Sequence, residues 1–351
     1  MPRLIAIDAI GDAFVDAMRR AWDDGDAVAP IDPRLPPAAR EAVLAAFDVD
    51  APVEDGDALV IATSGTSGEP KAVVLTHDAI TASARASSSA LRVDAARDRW
   101  LACLPLAHIG GLSVVLRAIS TGTAFTVHES FDPRAVENED ACNLVSLVPT
   151  MLRRTRTHRY RRVLLGGAAA PGDLDGNVVR TYGMTETGSG IAYDGRPLEG
   201  VELRIVDGEI QVRGPMLLRC YRDGADPKDA EGWFATGDAG TIANGVLRVD
   251  GRIGDVINTG GEKVWPTAVE RALADLAGVA DVAVAGHPDD EWGHRVVAFV
   301  VAADPANPPS LDELRDHVKE MLPAYAAPRE LVLVDAIPRT SSGKVRRTAL
   351  S

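Results

Sequence analysis

Cysteine is scarce in this 351-residue chain: Cys103, Cys142 and Cys220 are all there are, and no two stand at a paired spacing. That argues against a disulfide framework or a thiolate zinc site, and favours inert thiols in a reducing compartment, the cytoplasm. The seven histidines lack metal-ligand spacing such as H-E-x-x-H, so the sequence makes no case for a structural metal. Positive charge is also in deficit. With 37 Lys and Arg against 51 Asp and Glu, the formal net charge is −14, the reverse of a general nucleic-acid binder. A local cationic pocket for a small anion remains allowed. No apolar run approaches the roughly 20 residues that span a bilayer. The opening Leu4-Ile5-Ala6-Ile7-Asp8 is soon interrupted by Asp12 and Asp16, unlike a signal peptide.

What is present is a soluble globular composition, 46% hydrophobic and 25% charged, in a chain long enough for two domains. Apolar runs near 58–62, 72–75, 100–104, 123–127, 143–148 and 161–165 read as strands. Helical patterns near 78–91 and 112–119 lie among them, so residues 1 to about 250 predict an α/β core. From residue 201 the strands crowd together, with Asp207-Gly208 and Asn244-Gly245 as hairpin turns, which suggests a β-rich subdomain. After Gly251-Arg252-Ile253-Gly254-Asp255 the pattern starts again. A helix opens at Pro266, strands follow near 280–285 and 295–301, and Ser310 with Glu313 forms a capping box before a helix near 311–322. A last strand near 330–334 completes a small α+β domain.

The most informative stretch is Thr63-Ser64-Gly65-Thr66-Ser67-Gly68-Glu69-Pro70-Lys71, a polar turn between two strands. Glycine lets backbone come close to a polyphosphate, hydroxyls and N–H groups donate to its oxygens, and Lys71 offsets charge. It is not a Walker loop, because no Ser or Thr follows the lysine and no helix follows the loop. Downstream, Gly166-Gly167-Ala168-Ala169 ends a strand with side chains small enough for a ligand plane to approach. In Tyr182-Gly183-Met184-Thr185-Glu186, which follows a strand, the tyrosine can lie against a base. Thr185 and Glu186 offer oxygens to a phosphate-bound Mg²⁺. Asp238 could take both hydroxyls of a ribose, with Arg252 as a further ribose or phosphate contact. Thr340-Ser341-Ser342-Gly343-Lys344 presents a lysine suited to bridge negative oxygens.

In this order the segments resemble the acyl-adenylate-forming superfamily of acyl-CoA synthetases, adenylation domains and luciferases, from about residue 58 to the C-terminus. Within it, Leu104-Pro105-Leu106-Ala107-His108-Ile109-Gly110-Gly111, Val145-Ser146-Leu147-Val148-Pro149-Thr150 and Leu164-Leu165-Gly166-Gly167 resemble the o-succinylbenzoate–CoA ligases. The resemblance implies ATP, Mg²⁺ and coenzyme A acting on a small carboxylic acid, with no nucleic acid partner, and it leaves room for a homo-oligomer. It also implies a large domain at 1–251, a hinge at 252–254 and a mobile C-terminal domain at 255–351 that carries the catalytic Lys344. Gly260 and Gly261 would line the path of the CoA arm, and His108 the acyl pocket, with Ser146, Thr150 and Ser189 as further pocket candidates. Two features depart from the pattern. The phosphate loop comes by residue 63, which implies a shortened N-terminal subdomain, and Gly254 stands where the family often has the hinge Asp or Lys. Another small aryl- or acyl-CoA ligase, an acyl-AMP transferase to a carrier protein, and a non-catalytic binding relic stay open. The cluster Arg153, Arg154, Arg156, Arg159, Arg161 and Arg162 could meet CoA phosphates or a second carboxylate, or balance nearby acids on a solvated helix end.

Overall fold

The structure is a computed structural model that describes residues 2–63, 70–167, 174–339 and 345–350. It is mixed α/β, as the sequence predicts, and divides into two compact units. The first takes residues 1–166, 175–203 and 211–235, and the second takes 167–174, 204–210 and 236–351.

Two sheets form the first unit. One runs in the order Leu4–Ile7, Ala27–Pro30, Asp57–Thr63, Lys71–Thr76, Cys220–Tyr221. Its first three strands are parallel, and the last two pairings are antiparallel. The other has seven strands, of which five are parallel: Ala124–Val127 at one edge, then Arg99–Ala102, Leu144–Leu147, Arg162–Leu165 and Val178–Met184. Parallel strands buried on both faces read as continuous apolar runs, which is why Arg99–Ala102, Leu144–Leu147 and Arg162–Leu165 were visible in sequence. Helices supply the cover. Gly11–Asp23 buries Phe14, Val15, Met18 and Ala21 at helical spacing. His77–Leu91 starts at Thr76, whose hydroxyl accepts from the Ala79 N–H at 3.1 Å. The core joins Phe14, Met18, Leu59, Leu75, Trp100 and Leu112, all at most 1% exposed. Each such side chain contributes about 1.5–3 kcal/mol.

Two boundaries moved. The helix expected at 112–119 spans Ile109–Thr121, because Gly111 lets its first turn close on the preceding loop; a Cβ there would lie 2.6 Å from the Leu104 carbonyl. The segment 181–184 does not follow a strand but forms the end of one, Val178–Met184, and Thr185–Thr187 is a single 3₁₀ turn.

In the second unit, Val246–Arg252 pairs antiparallel with Phe234–Ala243, placing Arg252 opposite Asp238. A five-stranded sheet built on the long hairpin Val279–Asp289 and Gly293–Ala302 packs beneath helices Pro266–Ala274 and Leu311–Met321. The Ser310 and Glu313 capping box is formed.

Candidate active site

Four of the sequence motifs leave the parallel sheet from one edge. Cys103 to His108 follows Ala102, Val148 to Thr150 follows Leu147, Gly166 follows Leu165, and Thr185-Glu186 follows Met184. In open α/β sheets ligands bind beyond the carboxyl ends of the strands. The edge is kept open by small residues. A Cβ at Gly166 would sit 2.5 Å from the Thr181 hydroxyl, which donates to the Leu165 carbonyl at 3.1 Å. A Cβ on Gly183 would collide with the Ser189 carbonyl and stand 2.6 Å from the Gly190 Cα.

The two ends of the segment expected to meet polyphosphate belong to the other sheet. Thr63 and Lys71 face each other in register as the last and first residues of paired strands. Ser64, Gly65, Thr66, Ser67 and Gly68 lie outside the described residues, as do Ala168, Ala169 and Lys344. Lys71 is exposed, with its Nζ 5.1 Å from the centroid of the Tyr221 ring. The Tyr221 hydroxyl donates to Glu186 Oε1 at 3.2 Å. This side-chain relay brings Lys71 and Glu186 together across the two sheets. Tyr221 was not found from sequence, since it reaches the site by pairing opposite Val73 from about 150 residues away. The 3₁₀ turn that presents Thr185 and Glu186 is pinned by Thr187, fully buried, whose hydroxyl accepts from the Met184 N–H at 3.0 Å. The Glu186 carbonyl accepts from the Leu218 N–H at 2.8 Å. Tyr182 is half-buried beside them.

The helix Ile109–Thr121 holds a second residue that sequence reading passed over. Arg117, on the helix Ile109–Thr121, is 2% exposed and stacks 4.7 Å from the Trp100 ring. Its Nη2 donates to Ser189 Oγ at 3.1 Å, while Nε and Nη1 have no hydrogen-bond partner among the described residues. Burial pulls its pKa below the usual guanidinium value, yet arginine does not give up its proton in proteins. A buried cation with two idle donors is a costly arrangement unless an anion joins it. The signal in sequence was a lone charge inside the apolar run Val114-Val115-Leu116-Arg117-Ala118-Ile119.

His108 precedes that helix and is half-buried. Asp32, clamped by Arg34 at 2.8 and 2.7 Å, is held below the usual carboxylate range by that hydrogen bond, against the opposing effect of burial. Ser146 is buried in Leu144–Leu147, and Thr150 is half-buried in the next helical turn. Burial pushes the neighbouring Cys103 thiol up to about 12, which keeps it unreactive at neutral pH.

In the second unit, Asp238 is 7% exposed and pairs with Arg252 Nε at 3.0 Å, while Arg252 Nη1 donates to the Thr236 carbonyl at 2.8 Å. Asp238 and Arg252 therefore act as one fixed pair. Gly260 and Gly261 form the hairpin turn between Ile257–Thr259 and Glu262–Val264, both at positive φ. A Cβ on Gly260 would stand 2.6 Å from the Trp292 ring, and Arg329 covers that ring at 3.8 Å. Arg347 ties the chain just beyond Lys344 to Glu270 at 2.6 Å and Asp255 at 3.2 Å. Among the described residues no three His, Cys, Asp or Glu side chains cluster to hold a metal.

Comparison with known proteins supplies the family. The family model for AMP-binding enzymes matches residues 24–222, and that for the AMP-binding enzyme C-terminal domain matches 268–344. A probable 2-succinylbenzoate–CoA ligase of Mycobacterium tuberculosis is 41% identical over 343 residues, covering 90% of this chain and 89% of that protein. The o-succinylbenzoate coenzyme A synthetase of Bacillus subtilis, solved with ATP and magnesium ion, superposes with a TM-score of 0.85 at 28% identity, over 99% of this chain and 89% of that one. The amide bond synthetase of Marinactinospora thermotolerans superposes equally well, TM-score 0.85, at 25% identity over 99% of this chain and 89% of the other. Sequence and fold together place the chain in the family of AMP-binding enzymes.

Proposed function

We propose that this protein is an ATP-dependent acid–thiol ligase that converts 2-succinylbenzoate to its CoA thioester, a step of menaquinone biosynthesis. Its relatives carry that name at 31–41% identity, and a solved relative is a complex with the adenylate of this acid. The observation that carries the reading is the pairing of two features at one sheet edge. The relay Lys71–Tyr221–Glu186 suits a metal-bound polyphosphate, and the buried Arg117 suits a second carboxylate.

A carboxylate is a poor acyl donor. Attack of its oxygen on the α-phosphorus of ATP forms a P–O bond as the α–β bridge breaks, and the electron pair leaves on pyrophosphate. A thiolate then attacks the acyl carbon, and AMP departs with the cleaved C–O bond. The first step brings two anions together, so catalysis rests on positioning and charge neutralisation. Thr63 to Lys71 takes the β- and γ-phosphates, with Lys71 held near Glu186 by Tyr221. Tyr182 and the Gly167–Ala169 strip receive adenine, and Asp238 with Arg252 the ribose. Lys344 bridges the attacking carboxylate and the α-phosphate.

The donor set fits Mg²⁺: one carboxylate, Glu186, and one hydroxyl, Thr185, both oxygen, with phosphates completing the shell. Bound there, the ion would neutralise phosphate charge. Arg117, with Ser189, anchors the aromatic carboxylate, leaving the aliphatic one to react beside His108, Ser146 and Thr150. Rotation about residues 252–254 withdraws Lys344 after adenylation and brings Gly260-Gly261 to the thiol path. A cytoplasmic location supplies ATP and reduced CoA. The test is CoA-thioester formation from 2-succinylbenzoate beside benzoate and a fatty acid. The reading expects the first alone to turn over well; equal turnover of benzoate would make this a different aryl-CoA ligase, and AMP without thioester a transferase.

A further inference from the structure

Of the six arginines of 153–162, Arg162 donates to the Arg161 carbonyl at 3.1 Å and the other five separate into two sets. Arg156 pairs with Glu137 at 2.9 Å, Arg159 with Asp140 at 3.0 Å, and Arg161 with Asp98 at 2.6 Å. Those three balance nearby acids. Arg153 and Arg154 are exposed and have no carboxylate partner among the described residues, and neither has Arg134 on the helix Pro133–Glu137. These three line one open hollow of about 500 Å³. That is within the size range of pockets for small molecules.

Glu137 is the hollow's only carboxylate, and its charge is already used. It accepts the Arg156 backbone N–H at 2.8 Å and the guanidinium Nη2 at 2.9 Å. The arginine hydrogen bond holds its carboxyl below the usual range. What remains is three uncompensated guanidiniums in a protein whose formal net charge is −14. An independent observation comes from beneath them. Thr155 also lines the hollow, is 7% exposed, and its buried hydroxyl has no hydrogen-bond partner among the described residues. Backbone does not supply the donors, because the N–H groups of Arg153, Arg154 and Thr155 are taken by the carbonyls of Pro149, Met151 and Leu152. Side chains alone define the site. Planar guanidiniums match a phosphate in forked pairs, and a hydroxyl adds one more donor.

We propose that Arg134, Arg153, Arg154 and Thr155 form a binding site for the phosphomonoester group of a small molecule, apart from the residues assigned to ATP. Two sources offer this chemistry: the 3′-phosphate at the nucleotide end of coenzyme A, and a free phosphorylated metabolite. The coenzyme arm rests on the ligase reading; the other does not.

The test compares wild type with Arg153→Gln/Arg154→Gln and with Thr155→Val, after checking that urea midpoints agree. One arm measures KM for CoA and for dephospho-CoA, which lacks the 3′-phosphate. The other titrates inorganic phosphate by calorimetry in saturating ATP. If the coenzyme is the source, the double variant raises KM for CoA about tenfold, to the value for dephospho-CoA, with adenylation unchanged. If a free metabolite is the source, phosphate binding weakens about tenfold while KM for CoA stays fixed. Unchanged phosphate binding together with unchanged KM for CoA in the double variant overturns the site. Failure of wild type to make a thioester would sink the ligase reading and leave the phosphate arm to decide the site.

Discussion

Arg117 is the side chain on which the proposed choice of substrate turns. Its guanidinium is stacked on Trp100 and tied to Ser189, with two donors left over in a buried setting. A carboxylate that met them would make charge-assisted hydrogen bonds worth about 1.5–3 kcal/mol. Arg117→Gln should therefore raise KM for 2-succinylbenzoate by roughly 10- to 100-fold, and steady-state kinetics should find KM for ATP within about twofold. Benzoate, with no second carboxylate, is the control. An equal loss with benzoate would remove Arg117 from the pocket. A second residue acts on stability. Asp98, with its side chain 4% exposed, accepts from the Asp94 N–H at 2.8 Å, Asn143 at 2.9 Å and Arg161 at 2.6 Å. Burial opposes its charge, but these donors outweigh it and hold the carboxyl below its ordinary 3.8. Its contribution is thus fully present above about pH 4 and is lost as pH falls through the lower folded value. Asp98→Asn should cost about 3 kcal/mol at neutral pH by urea unfolding, and the gap to wild type should close below pH 4. A gap that stayed constant with pH would refute the ionic origin.

At the scale of the element, the site depends on where parallel strands stop. Gly183 is the sharpest case, since the strand Val178–Met184 can pair closely with Ser189–Tyr193 only because position 183 has no Cβ. Gly183→Ala should destabilise the fold by about 1–3 kcal/mol and displace the turn that carries Thr185 and Glu186. Both a lowered thermal midpoint and a drop in adenylation are expected; full activity at unchanged stability would contradict this. The same elements explain what could be read from sequence. Strands near 144–147 and 162–165 were legible because burial on both faces makes them continuously apolar. The strand ends at Thr63 and Lys71 were legible because the sequence between them is rich in glycine and hydroxyl residues. Tyr221 was not, because a two-residue strand carries no periodicity and its place is set by a partner far along the chain. Arg117 was visible as a charge in an apolar helix, but only packing shows that the charge is buried.

For the molecule as a whole, two compact units carry different parts of the proposed chemistry. The larger holds the relay from Lys71 to Glu186 and the buried Arg117; the smaller holds the Asp238–Arg252 pair and the Gly260-Gly261 turn. In the second unit the chain on either side of the tail lysine is well anchored. Arg339 pairs with Asp281 at 2.8 Å, and Arg347 pairs with Glu270 and Asp255. None of these three ion pairs could be read from sequence, since they join residues 58 to 92 positions apart. The motif between them could, because a lysine after Ser341-Ser342-Gly343 stands out in an otherwise strand-rich domain.

The division of labour between two steps is tested most directly by Lys344→Ala, assayed separately for each half-reaction. Exchange of labelled pyrophosphate into ATP, dependent on 2-succinylbenzoate, should fall by about a hundredfold or more, as when a preorganised charge-stabilising donor is lost. Thioester formation from supplied acyl-adenylate and CoA should largely survive. Equal loss of both steps, or exchange that continues unchanged, would contradict the account.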